Sequence, residues 1–337
     1  MSPRGRAGAA RAGFVRRLSD RPVVEPGAVP GYGPIFNAGV IAAGGVYHLF
    51  ARGVREGYSR NPEPGPRFRD YVSDVLVFTS RDGVRYRFQQ VLASGGRDGA
   101  HSLEDPRVQR VRSGGVEHVV MTYTHLPDPA SGGPWRIGLR TLAYSAGRFS
   151  VNGGPGGVVS PPGVADKDAV VFNVRDGRVA LVHRIHPDMQ LALFDTVDEL
   201  VEPTDGFWQA HLSELERHVL IRPSKGALGV GAGAPPVPTE DGLLLFYHER
   251  DGSSRYTVRA ALLDDATGAV RALLEEPILE PELPWERRGD VDDVIFVQGA
   301  VDRPDGTIYL TYGAADRCVG AALVDTADLL RALRAAA

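Results

Sequence analysis

Runs of Val, Leu, Ile, Phe, Tyr and Thr, each four to ten residues long, recur along this 337-residue chain with glycine turns between them. That pattern predicts strands. Five stretches share one form: an apolar strand, a turn, a second strand with a polar end, then a third strand. They begin at "FNAGVIAAGGVYHLFARGV", "DPRVQRVRSGGVEHVVMTYTHL", "DAVVFNVRDGRVALVHRIHP", "PPVPTEDGLLLFYHER" and "VIFVQGAVDRPDGTIYLTYGAAD". Units of roughly 45–70 residues with three or four strands match propeller blades. The pattern predicts an all-β fold, one five-bladed β-propeller over residues 31–326, with short terminal helices. A pair of β-sandwiches is the alternative, and the regular repeat argues against it. Helical periodicity is confined to residues 209–217 and to "TADLLRALRAAA", predicting a C-terminal helix over 327–337. Residues 1–30 are expected to form a lead-in, flexible or helical.

The repeat also sorts the polar residues. Second strands end in Arg52, Thr124, His183-Arg184 and His248, and the fifth unit in Asp316. Equivalent strand ends of a propeller lie on one face, so these groups are expected around one funnel. Exposed strand ends are polar anyway, which accounts for one or two of the five.

Composition removes several classes. Net charge is −4, which gives no reason to expect nucleic acid or an anionic membrane surface. No apolar run approaches the ~20 residues of a membrane span. The arginine-rich N-terminus lacks the apolar core of a signal peptide. Cys318 is the only cysteine, so no intramolecular disulfide can form and a reducing cytoplasm fits. No Cys/His cluster has metal-ligand spacing, and no metal is expected. Of 38 Lys and Arg residues, only Lys167 and Lys225 are lysine, which marks both as places where a compact ammonium could matter.

"HSLEDPRVQR" sets Glu104-Asp105 directly before Pro106 and Arg107. Proline holds the preceding residue out of the helical region. Read alone, the stretch is either a carboxylate posed for chemistry or a turn in which Arg107 pairs with Glu104.

An ordered series of motifs decides for chemistry. Asn37 in "FNAG", Arg52 in "LFARG", "EDPR" at 104–107, "KDAVVF" at 167–172, "HRIHP" at 183–187, "GAGAPP" at 231–236, "LLLFYH" at 243–248, "ALLD" at 261–264, Glu286 in "WERRG" and "YGAAD" at 312–316 resemble motifs of the mannoside phosphorylases, glycoside hydrolase family 130. The likeness runs from about residue 35 to 325. It implies a five-bladed propeller that cleaves β-mannosides with inversion, mostly with inorganic phosphate as nucleophile, releasing α-mannose 1-phosphate. Asp105 then inherits the role of general acid, its proton passing through a sugar hydroxyl. Asn37, Arg52, Glu104, Arg107, His248, Glu286 and Asp316 inherit substrate binding. No cofactor is implied; phosphate is the co-substrate and a mannoside oligosaccharide the partner. Family members include dimers and larger assemblies, so the C-terminal helix is a candidate contact in a homo-oligomer.

On the nucleophile side the resemblance is less complete. Arg184 and Tyr256 match, but Asp166-Lys167 stand where Arg-Asn is common. Gly229 stands where the family has lysine, with Lys225 four residues earlier. Glu249 replaces a usual glycine, and a carboxylate there would repel phosphate and could activate water. Phosphorolysis nonetheless remains the expected reaction. Inverting hydrolysis by water is the alternative, and a non-catalytic sugar-binding propeller, which would have little use for Asp105, comes third.

Overall fold

The computed structural model describes residues 13–62, 67–97 and 100–337. Five antiparallel sheets are arranged as propeller blades, and Ser59–Arg60 pairs with Phe68–Arg69 in a separate two-stranded sheet. Blade I contains Tyr32–Ala43, Val46–Arg55, Ser73–Ser80 and Arg87–Ala93. Blade II contains Ser102–Ser113, Val116–Leu126, Arg136–Ser145 and Arg148–Val151. Blade III contains Lys167–Asn173, Val179–Arg184, Met189–Phe194 and Val219–Ile221. Blade IV contains Gly229–Ala232, Gly242–Arg250, Tyr256–Leu263 and Val270–Leu273. Blade V contains Ile295–Asp302, Thr307–Ala314 and Cys318–Asp325.

Both faces of each blade are covered, which explains why the strands read as nearly continuous apolar runs. Side chains alternate along a strand, and neighbours in sequence enter different cores. Val170 packs with Val230, Leu245 and Tyr247 between blades III and IV. Val171 packs with Val120, Ile137 and Leu139 between blades II and III. Phe50 and Met121 join blades I and II, Phe246 and Leu310 blades IV and V, and Leu49 and Leu323 blades V and I.

Residues 13–30 correct the expected lead-in. Val15–Arg17 is a strand that pairs antiparallel with Ala322–Val324 and completes blade V. Val24 and Val29 are buried in the core between blades I and V. The chain's start thus closes the ring against its end. Residues 1–12 of the expected lead-in lie outside the described residues. The expected helix at 209–217 is a short α-helix, Phe207–Ser213, followed by a 3-10 turn, Leu215–His218. Thr326–Ala335 is helical and capped by Asp325. Its Leu329, Leu330 and Leu333 are buried on blades IV and V, so its apolar face is used within the chain.

The channel-lining strands share a local irregularity. Register shifts fall between Phe36 and Ala38, Glu104 and Arg107, Lys167 and Val170, and Val297 and Gly299. Asn37, Asp105 and Asp168 sit in three of these bulges with φ of 46°, 55° and 54°. Asn and Asp tolerate this left-handed backbone better than other side-chain-bearing residues. A bulge re-aims a side chain, and Pro106, with no N–H to donate, fits inside one.

Candidate active site

Asp105, on the inner strand of blade II, faces residues from blade I. Its Oδ1 accepts from Asn37 Nδ2 at 2.8 Å and from Arg52 Nη1 at 3.3 Å. Arg52 also donates to Glu104, and to Tyr71 Oη at 3.1 Å. Its guanidinium lies 4.9 Å from the Phe36 ring centroid and 5.2 Å from that of Tyr71, a cation–π clamp. Asp316 stands in the same electrostatic neighbourhood. Three carboxylates therefore share one guanidinium. Burial and the Asp105 charge push Glu104 up despite Arg52. Burial pushes Asp316 up to about 6, with Arg52 opposing and Asp105 and Glu104 adding. Like charges in a desolvated site cannot all ionise freely, so this cluster holds a proton above the ordinary carboxylate range.

Arg107 does not pair with Glu104. It is 1% exposed and reaches the other way, donating to the carbonyls of Ala232 and Gly233 at 2.8 Å each and to its own neighbour Asp105 O at 3.0 Å. Its fourth contact, at 3.3 Å, is Asp168 Oδ1. Asp168 is the residue that sequence reasoning missed. Its Oδ2 lies 3.1 Å from Arg184 Nε and 3.4 Å from His248 Nε2. Burial would raise its pKa, but Arg184, Lys167 and His248 outweigh burial and hold it well below the usual carboxylate range. The signal was present: Asp168 follows Lys167 in the "KDAVVF" motif. Gly231 makes room for the arrangement, since a Cβ there would lie 2.5 Å from His248 Nε2 and 2.6 Å from Asp168 Oδ2. Burial lowers His248 to about 4, and Asp168 only partly offsets it. The imidazole is neutral at neutral pH and packs against Phe296, ring centroids 4.1 Å apart and planes tilted by 34°.

Blade III supplies two cations and blade IV a tyrosine. Arg184 ends the second strand of blade III, and Lys167 sits across from it in register. The Lys167 ammonium stands 5.7 Å over the Trp135 ring. Tyr256 lies beside His248, ring centroids 5.8 Å apart.

Several expected residues lie elsewhere. Glu286 is fully buried and engaged: Arg17 binds it at 2.7 and 2.9 Å, Tyr312 Oη donates at 2.9 Å, and the N–H groups of Glu282 and Leu283 donate at 2.8 and 2.9 Å. It ties the N-terminal strand to a short helix, Pro284–Arg287, and leaves no oxygen for sugar. His183 points away from Arg184, since successive strand residues alternate. Its Nδ1 meets Asp166 Oδ2 at 3.0 Å and its Nε2 meets His211 Nε2 at 3.2 Å. Asp166, where the family often has arginine, is thus a structural partner of His183. Glu249 is held by Arg259 at 2.7 Å and by Ser224 N and Oγ at 2.8 and 2.6 Å. Lys225 stands exposed on the turn after Ser224. Thr124 is buried opposite Glu104 in the blade II register. Among the described residues no group of three or more His, Cys, Asp or Glu is placed to hold a metal ion. None of the described helices is long and apolar enough to cross a membrane.

A propeller whose channel carries a proton-holding carboxylate cluster on one side and arginines on the other has the parts of an inverting glycoside-cleaving site. A family model described as "beta-1,4-mannooligosaccharide phosphorylase" matches residues 12–335; the chain belongs to this family, glycoside hydrolase family 130. It is 31% identical to a 1,2-beta-oligomannan phosphorylase of Thermoanaerobacter sp. (strain X514), covering 94% of this chain and 98% of the relative. A beta-1,2-mannobiose phosphorylase of the same strain is 32% identical over 92% of this chain and 96% of its own length. Among solved structures, a beta-1,2-mannobiose phosphorylase from Listeria innocua, in complex with beta-1,2-mannobiose, superposes with a TM-score of 0.75 at 21% identity, covering 95% of this chain and 99% of the other. That likeness supports the fold.

Proposed function

We propose that this enzyme cleaves β-linked mannosides by inverting phosphorolysis. The observation that carries the reading is the division of the channel. Asp105, Glu104 and Asp316 gather around Arg52 on one side, where burial raises Glu104 and Asp316, while Arg184 and Lys167 face them from blade III. Inversion requires an acid at the leaving group and a nucleophile on the opposite face of the sugar. A phosphate oxygen forms the bond to the anomeric carbon as the bond to the glycosidic oxygen breaks. The departing oxygen takes the proton that Asp105 supplies. Asn37 and Arg52 position Asp105, and neutral His248 offers a hydrogen bond without adding charge.

Phosphate is favoured over water because of Glu249. A base for water needs a carboxylate aimed at the anomeric carbon, and this one is fastened to Ser224 and Arg259. The two relatives matched over more than nine-tenths of this chain are named for β-1,2-linked mannosides, which supports that linkage over β-1,4. The lone buried thiol of Cys318 fits the cytoplasmic location included in this reading. Incubation with β-1,2- and β-1,4-mannobiose, with and without phosphate, tests it. Phosphate-dependent release of α-mannose 1-phosphate is expected, faster from the β-1,2 isomer. Free mannose at equal rates without phosphate would reject phosphorolysis.

A further inference from the structure

The family resemblance places a lysine at position 229, where this chain has glycine. Gly229 opens the inner strand of blade IV, and its register partner on the next strand is Arg250. A side chain at 229 has little room: a Cβ there would lie 3.0 Å from Cε1 and Nδ1 of His186. His186 of the "HRIHP" turn fills the place beside this strand. The missing cation therefore has a neighbour across the sheet that carries one.

Arg250 shares a strand face with His248, two residues earlier, while Glu249 between them turns to Arg259. The Arg250 guanidinium carbon lies 6.0 Å from the Tyr256 ring centroid, and Tyr256 lies beside His248, whose Nε2 meets Asp168. Arg250 thus stands at the blade IV side of the Arg184–Asp168–His248 cluster. Its Nη2 donates to Ser254 Oγ at 2.8 Å, and its buried Nε has no hydrogen-bond partner among the described residues. No ion pair is formed by Arg250 among the described residues either, whereas the neighbouring Arg255 and Arg259 pair with Glu280 and Glu249. Arg184, Lys167 and Arg250 together crowd His186 and depress its basicity beyond what burial does. A guanidinium held by one hydroxyl, with donors to spare and no carboxylate, suits a tetrahedral oxyanion that accepts two N–H bonds at once.

We infer that Arg250 replaces the family lysine as a ligand of the phosphate co-substrate, acting with Arg184 across the blade III–IV boundary. This rests on the phosphorolysis reading above. Calorimetric titration of inorganic phosphate, alongside the KM for phosphate and for mannoside, tests it in the full chain and in Arg250→Ala and Arg250→Lys. Losing charge-assisted bonds should weaken phosphate binding and raise its KM by about 10–100-fold, with the mannoside KM within a few-fold of the parent. Arg250→Lys should recover part of the affinity and show that the fold tolerates change here. Parent-like phosphate affinity in Arg250→Ala would overturn the assignment and leave phosphorolysis standing. A parent enzyme that binds no phosphate and cleaves without it would overturn both.

Discussion

Asn37 Nδ2 donates to Asp105 Oδ1 at 2.8 Å, and this bond links the bulges of two neighbouring blades. Each residue holds a left-handed backbone that Asn and Asp adopt at little cost. Asp105→Asn should therefore keep the bulge and, with its amide oxygen turned to Asn37, the cross-blade bond. What it loses is the proton. General acid catalysis is worth ~10²–10⁴-fold, and turnover should fall by that order. Unfolding free energy should change by less than about 1 kcal/mol. Turnover and denaturant unfolding measured on one preparation check this; normal turnover with a lowered midpoint would make Asp105 a purely structural residue.

Asp168 is the shared partner of Arg107, Arg184 and His248. Asp168→Asn keeps the left-handed backbone and removes the charge. Breaking a buried pair by removing one partner costs about 3–5 kcal/mol, chiefly because Arg107 stays buried without its counterion. Denaturant unfolding should show a loss of that size, and His248, whose basicity Asp168 supports, should become still harder to protonate by NMR titration.

The raised pKa of Asp316 predicts a pH effect on stability. Burial favours its neutral form in the fold, so the native state binds this proton more tightly than the unfolded chain does. Stability from this group is present below the ordinary aspartate range and lost as pH rises toward about 6. The loss is at most about 3 kcal/mol. Asp316→Asn cannot ionise, and its unfolding free energy should lack this fall between pH 4 and 6. Parallel curves for parent and variant would show that Asp316 is ionised in the fold.

Glu249 separates the two nucleophiles. If water needed it, Glu249→Gln would abolish turnover and leave no phosphate requirement to measure. Because it is fastened to Ser224 and Arg259, the variant should keep phosphate dependence and the same sugar phosphate product. It should lose about 1–3 kcal/mol of stability, the cost of an unsatisfied buried partner. Product analysis by NMR and a melting curve check both halves.

Much of the fold and the acid side of the site was legible because the signals are local. Blade strands alternate into two cores, so their apolar runs recur visibly, and "EDPR" brings acid and bulge together within four residues. Contacts between distant segments were not legible. Glu286 looked like a sugar ligand because its partner Arg17 is 269 positions away on a three-residue strand too short to show periodicity. His183 and Arg184 looked equivalent, but strand alternation sends one to Asp166 and the other to Asp168. Arg250 escaped notice because motif comparison asks what occupies position 229, whereas the sheet asks what lies across from it.

The Arg17–Glu286 pair makes the last prediction. Ring closure in this propeller depends on Val15–Arg17 adding to blade V, and three ladder residues form a weak seam. Arg17 reinforces it with a two-pronged contact to Glu286, a bond to Glu282 Oε2 at 2.8 Å and one to Glu280 O at 2.7 Å. Glu286 has no exposed surface, so removing the guanidinium strands a charge in the interior. Arg17→Met keeps much of the stem's packing and should cost about 3–5 kcal/mol, lowering the melting temperature by several degrees. Glu286→Gln in the Arg17→Met background should restore part of the loss, because a neutral amide can still accept from Tyr312 and the Glu282 and Leu283 N–H groups. Turnover per folded molecule should stay near that of the parent in both variants, since neither residue touches the channel groups. A selective loss of mannoside affinity in Glu286→Gln, with unchanged melting, would instead return Glu286 to the sugar site.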